Sequence, residues 1–164
     1  MSVRTIASGS DLMVFVVSGT APSLVYKPIA GQTNVQLTQR EVNDRETNAK
    51  NLGGWVDFFK GLKKWAATVD MDVPDPSDVD TNEVSYDELQ AADEAGTKLQ
   101  LLFTYVTPIS DTDDDVEPDT TKPSYTGLAL ISAPLAAPSG ENMTSSVAFR
   151  GCRKLTKVAG IPAT

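Results

Sequence analysis

A mainly β chain, built as a β-sandwich or open barrel with one flanking α-helix, is predicted by three observations. Apolar side chains recur with period two in six segments, those segments are bounded by Gly, Pro or Asn, and one stretch alone carries helix-start chemistry. The 164 residues suit a single domain, because a chain of this size buries roughly 70% of its unfolded surface on folding and needs no metal or disulfide to do so.

Leu12, Val14 and Val16 alternate with Met13, Phe15 and Val17, which predicts a strand apolar on both faces and therefore central in a sheet. Val35 and Leu37 point one way while Gln36, Thr38 and Arg40 point the other, the pattern of a half-exposed strand. Trp65, Ala67, Val69, Met71 and Val73 share one face, opposite Ala66, Thr68, Asp70 and Asp72, giving a long strand whose outer face turns acidic at its far end. The helix comes next. Ser85 stands three residues before Glu88, a capping box; Asp87 and Glu88 sit at the positive end of the dipole; Tyr86, Leu89 and Ala92 share a face; and Gly96 supplies a left-handed stop. Leu99, Leu101, Phe103 and Tyr105, then Tyr125–Ser132 and Ser145–Arg150, complete the strands.

Charge is divided along the chain. Overall it is −8, but residues 1–65 carry net +3, residues 66–120 carry net −15 with Lys98 as their one cation, and residues 121–164 carry net +4. Two acidic, proline-bearing runs, Asp70–Asp80 and Asp111–Asp119, read as exposed loops. In the second, Asp111, Asp113, Asp115, Glu117 and Asp119 imitate the odd-numbered ligands of a calcium loop. Val116, however, stands where that loop turns on Gly, and Lys122 stands where a bidentate Glu belongs.

Composition excludes several chemistries. With no histidine, Ser-His-Asp and Cys-His catalysis and imidazole ligation have no ring to work with. With Cys152 as its one cysteine, the chain forms no internal disulfide and no Cys-x-x-Cys site, which makes cytoplasmic folding the default. No apolar run approaches the ~20 residues of a membrane span, and Met1-Ser2-Val3-Arg4 leads into polar sequence, so neither membrane insertion nor a secretory leader is expected. Three function classes remain: a self-assembling structural protein, a monomeric β-sandwich module binding calcium or carbohydrate through its acidic loops, and a glycosidase using paired carboxylates. The last has little behind it, since sixteen carboxylates in one block place some pair at a suitable distance by chance.

The stretch from Gly31 to Asp72 is more specific than composition. Ala30-Gly31-Gln32, an alternating strand through Leu37, a polar run ending in Asn48-Ala49-Lys50-Asn51, then Gly53-Gly54-Trp55-Val56-Asp57-Phe58 and Gly61-Leu62-Lys63-Lys64-Trp65 resemble the major tail tube protein of long-tailed bacteriophages with non-contractile, siphovirus-type tails. Gly9-Ser10-Asp11-Leu12 resembles that family's opening strand, and Tyr125–Ile131 with Ser146–Gly151 resembles its closing hairpin.

The resemblance implies a single tail-tube domain over 1–164, with a flexible N-terminal arm (1–10), a long inter-ring loop (38–61), an acidic loop (107–123) and a flexible C-terminal arm (152–164). It implies a non-enzymatic virion protein, without cofactor or metal, assembled in the host bacterial cytoplasm. About six copies would join sheets into a ring-shaped β-barrel, and rings would stack into the conduit for DNA ejection. The partners implied are other copies of the chain, a tape-measure protein, a tail terminator and a distal tail protein, with DNA passing through the lumen unbound. On this view Gly53, Gly54, Trp55, Phe58 and Trp65 anchor either the core or a subunit interface. Asp70 and Asp72 are the candidate lumen charges, because an acidic wall repels a duplex carrying about one charge per 1.7 Å.

Overall fold

A computed structural model of the chain describes residues 12–20, 22–42, 45–47, 57–59, 63–106, 118–137 and 139–162. In chain order these form β1 (Leu12–Ser18), β2 (Val25–Pro28), β3 (Gln32–Val42), β4 (Arg45–Thr47), β5 (Asp57–Phe59), β6 (Lys63–Asp72), α1 (Tyr86–Ala95), β7 (Leu99–Tyr105), β8 (Ser124–Ser132), β9 (Thr144–Gly151) and β10 (Thr156–Val158). Every strand pairing is antiparallel. The main sheet runs β2-β1-β7-β8-β9-β6-β3, with β10 beside β8, and β4 and β5 make a separate two-stranded ribbon. The class is therefore the expected one, mainly β with a single helix.

Period-two alternation converts directly into the core. Trp65, Ala67, Val69 and Met71 of β6, Leu101 and Phe103 of β7, and Val147 and Phe149 of β9 all turn to one face and are buried there. Each fully buried aliphatic or aromatic side chain of this size contributes about 1.5–3 kcal/mol. β1 is central, as its two apolar faces require: it pairs with β2 on one side and β7 on the other, and Val14 and Phe15 are both fully buried.

The sheet bends until its ends meet, and one side chain makes the seam. β3 lies five steps from β1 along the sheet, yet Gln32, its first residue, reaches Val14 of β1. The Gln32 Oε1 accepts from the Val14 N–H at 2.9 Å, and its Nε2 donates to the carbonyls of Val14 and Ile29 at 3.2 Å each. A primary amide here offers the donor and acceptor that a neighbouring strand would offer, satisfying backbone groups that β2 is too short to cover. The seam continues at Val84, whose N–H donates to the Pro28 carbonyl and whose carbonyl accepts from Ala30 N–H.

The helix begins and ends where its residues dictate. The Ser85 side chain accepts from the Glu88 N–H at 3.3 Å, and Gly96 adopts φ 64° with its N–H on the last carbonyls. Leu89 and Tyr86 are buried in the core. The Tyr86 hydroxyl donates to the Ala133 carbonyl (2.7 Å) and the Asp93 carboxylate accepts from the Ala133 N–H (3.0 Å), tying α1 to the end of β8.

Three expected boundaries shift. β3 runs beyond residue 38 to Val42, because Glu41 and Val42 still find partners in Lys64 and Lys63, past a register shift after Thr38. Val73 lies one residue past β6, where its N–H leaves the sheet for the Met143 carbonyl. Residues 152–162, expected as a free arm, are tied down. β9 ends level with Ala129, leaving Ser124–Thr126 of β8 unpaired on that side, and β10 fills the vacancy. Beyond it, the Gly160 carbonyl accepts from the Ser124 hydroxyl, and the Pro162 carbonyl accepts from the Tyr26 hydroxyl (3.4 Å).

Candidate functional site

The sheet face opposite the core, over β3, β6 and β9, is polar and open. Its residues stand in register across three strands: Asn34, Asp70 and Ser146 in one row, Gln36, Thr68 and Ala148 in the next, Thr38, Ala66 and Arg150 in the third. The backbone is laddered across these three rows, and Ala66, Thr68, Ala148 and Arg150 also line an open depression of about 490 Å³. Among the described residues no group of three or more carboxylates or thiols is placed to hold a metal ion.

Asp70 is the most constrained charge on this face. Its carboxylate accepts from the Ser146 hydroxyl at 2.7 Å and from the Asn34 amide at 3.2 Å, one donor on each neighbouring strand. These bonds favour the charged form, the Ser146 hydroxyl most, and hold the Asp70 pKa below its ordinary value of 3.8 against a small opposing effect of burial. Asp72 stands two residues on, exposed, opposite Thr144, its N–H held by the Gly31 carbonyl at 2.9 Å. The two carboxylates thus occupy the same face at one end of β6.

The sign of the Asp70 effect follows from the direction of its shift. A carboxyl whose native pKa is depressed contributes stability that is present above its unfolded value, near 3.8, and is lost as pH falls through the lower native value. Asp70→Asn is therefore expected to leave a protein whose stability falls less steeply as pH drops below the ordinary carboxyl value of 3.8, measured by urea denaturation at several pH values.

Trp65 goes to the opposite face. It is only 3% exposed, its Nε1 donates to the Arg153 carbonyl at 2.7 Å, and its ring meets Phe103 edge-on with centroids 6.1 Å apart. Two strand glycines make the space: a Cβ on Gly127 would stand 2.5 Å from the indole, and one on Gly151 2.3 Å. Isolated glycines within strand patterns signal such close approach, a cue to the Trp65 socket that alternation alone does not reveal. Gly53, Gly54 and Trp55 lie outside the described residues, as do Asp111–Glu117. For Phe58 the description extends to its backbone, paired with Glu46 between β5 and β4.

No protein-family model matches the chain, and no curated protein sequence matches it. Solved structures do. A chain from the tail of an empty gene transfer agent particle, solved with C6 symmetry, is similar with TM-score 0.61 at 16% identity, covering 94% of this chain and 100% of that one. The SPP1 tail tube subunit is similar with TM-score 0.61 at 12% identity, over 95% of this chain and 81% of that one. A chain of the tube-terminating cap of the anti-feeding prophage follows at TM-score 0.56 and 12% identity, over 98% and 95%. The chain has the fold of these tail tube and cap proteins.

Proposed function

We propose that this chain is the structural subunit of a phage-type tail tube of the siphovirus kind, self-assembling into hexameric rings that stack around a lumen through which genome DNA leaves. One observation carries the reading: the fold is shared over more than nine-tenths of the chain with subunits of tails, one of them solved with C6 symmetry. The fold also has a feature that assembly would use. β3 is an eleven-residue strand at one end of the main sheet's path, with β6 its one partner strand among the described residues. A strand of that length offers its outer N–H and C=O groups to another chain, and a ring of such heterologous contacts closes them all.

Within the ring, the polar face of β3, β6 and β9 would line the lumen, with Asp70 and Asp72 presenting charge to the duplex. Asp70 suits that role because its two hydrogen bonds fix the carboxylate in place and keep it ionised. Exposed charges act over about 10 Å at 0.1 M salt, so repulsion would operate at the wall and prevent DNA adhering to it. The function is structural rather than enzymatic, exercised in the virion tail after assembly in the host cytoplasm. Tape-measure, terminator and distal tail proteins are the further partners of this reading. Gly53, Gly54, Trp55 and Phe58 would anchor one subunit on another, in which case Trp55→Ala leaves a folded chain, by circular dichroism, that forms no tubes by negative-stain microscopy.

A proline scan of Val35, Gln36, Leu37 and Thr38 tests lateral addition. Successive N–H groups in this regular stretch alternate between β6 and the open side. Proline at positions facing β6 is expected to destabilise the monomer, whereas proline at the alternate positions is expected to leave it folded yet unable to form rings. Rings surviving at every folded position would contradict the proposal.

A further inference from the structure

The polar face of β3, β6 and β9 is not uniformly acidic. Within its three rows the charged side chains are Asp70 in the first and Arg150 in the third. The place of Arg150 follows from the period of β9: Ser145, Val147 and Phe149 are buried, so Ser146, Ala148 and Arg150 turn outward and are exposed. Beside Arg150 stand Ala66 of β6 and Leu130 of β8, and beyond Ala66 stands Thr38 of β3, none of them charged. Lys64, one step further along this face of β6, stands opposite Glu41 in the register.

The register also fixes the spacing of the two charges. From the Ala66 row to the Asp70 row is about 13 Å at the strand rise. That exceeds the ~10 Å over which exposed charges act at 0.1 M salt, so neither charge cancels the other and each acts on what lies directly above it. Arg150 also lines the depression of about 490 Å³, whose walls include the hydroxyl-bearing Thr68 and Ser132 and the small Ala66 and Ala148. The carboxylate on that wall, Asp93, is engaged with the backbone, accepting from the Ala133 N–H at 3.0 Å. A guanidinium so placed has room to present its planar fork of donors to a phosphate.

We propose that Arg150 is a phosphate-contacting residue of the lumen wall, so that each ring presents to the duplex a cationic hoop about 13 Å along the strands from its acidic one. This rests on the tube reading and names the group that touches DNA. A wholly basic wall would hold the duplex along its length through counterion release, and a wholly acidic one would only repel it. Alternating hoops give contacts that guide the duplex while the next acidic hoop opposes adhesion. Backbone phosphates are the chemistry recognised, with no reading of base sequence.

Tubes assembled from the full chain, mixed with a short fluorescent DNA duplex and sedimented at several salt concentrations, test the contact. Wild-type tubes are expected to retain duplex at low salt and to release it as salt rises. Arg150→Gln alters an exposed side chain, so tubes and melting temperature are expected to be unchanged. Its tubes are expected to retain about tenfold less duplex at low salt, with the slope of log retention against log salt reduced by about one or more. Arg150→Lys keeps the charge and is expected to retain duplex, and Asp70→Asn, which removes the acidic hoop, is expected to retain more. The same duplex with a bulky protein fixed to each end cannot thread a tube and is expected not to be retained. Wild-type tubes that retain no duplex, Arg150→Gln tubes that retain as much as wild type, or equal retention of the blocked duplex would overturn the contact while leaving the tube reading intact. A folded Arg150→Gln chain that forms no tubes would also overturn it, because Arg150 would then serve assembly rather than DNA. A wild-type chain that forms no ring or tube at all would instead overturn the reading beneath it.

Discussion

Trp65→Ala is expected to lower the stability of the monomer by about 3–5 kcal/mol, the range for removing a buried large aromatic side chain. The position makes collapse of the resulting hole difficult. Gly127 and Gly151 form the floor of the Trp65 socket, and neither has a side chain that can swing in to fill it. Loss of the indole also leaves the Arg153 carbonyl without its donor and Phe103 without its edge contact. The change should appear as a shifted urea midpoint with little change in slope. Gly151→Ala is expected to destabilise as well, because its Cβ would stand 2.3 Å from a ring held by β6. If Trp65→Ala unfolds at the wild-type midpoint, Trp65 is not the core anchor described above.

Gly31→Ala is expected to cost more than about 2 kcal/mol, through two separate mechanisms. Gly31 has φ 70°, a conformation that costs a side chain-bearing residue roughly 1–2 kcal/mol. A Cβ there would also stand 2.1 Å from the Asp72 carbonyl oxygen, a backbone atom unable to move without disturbing β6. Gly96→Ala is the internal control: φ is similar, 64°, but nothing lies within 4 Å of its Cβ, so it should show the dihedral cost alone. The difference between the two midpoints measures the close approach. Its consequences extend to both sides of Gly31, since Gln32 closes the seam to β1 and Asp72 holds a charge on the exposed face.

The same residues show what local pattern can and cannot reveal. Strands β6, β8 and β9 are legible because they bury alternate residues over most of their length, β1 and β7 because their apolar residues fill consecutive buried positions, and α1 is legible because Ser85 and Gly96 satisfy its ends with chemistry confined to a few positions. β2 is not, being four residues long with Val25 about half exposed (49%) and Pro28 at its end. β10 is not either: Thr156-Lys157-Val158 carries no alternation, and its strand conformation comes from the vacancy beside Ser124–Thr126, some thirty residues earlier in the chain. The Ala30-Gly31-Gln32 stretch could be noticed as a resemblance, but its cause could not, since Gly31 answers to Asp72 and Gln32 to Val14 across the closed sheet. At the site, the period of β6 places Asp70 and Asp72 together on the outer face. That Asp70 is gripped by Asn34 and Ser146 depends on the register of three strands, information that no single segment contains.

The account's central claim is that this fold completes itself by joining other copies, and cryo-electron microscopy of the purified full chain across concentration, without added ligand, tests it most directly. The expected result is annular particles with sixfold averages, extending into tubes in which β3 pairs with a strand of the adjacent subunit. A population of isolated monomers at every concentration, with the outer edge of β3 covered by its own chain, would contradict it.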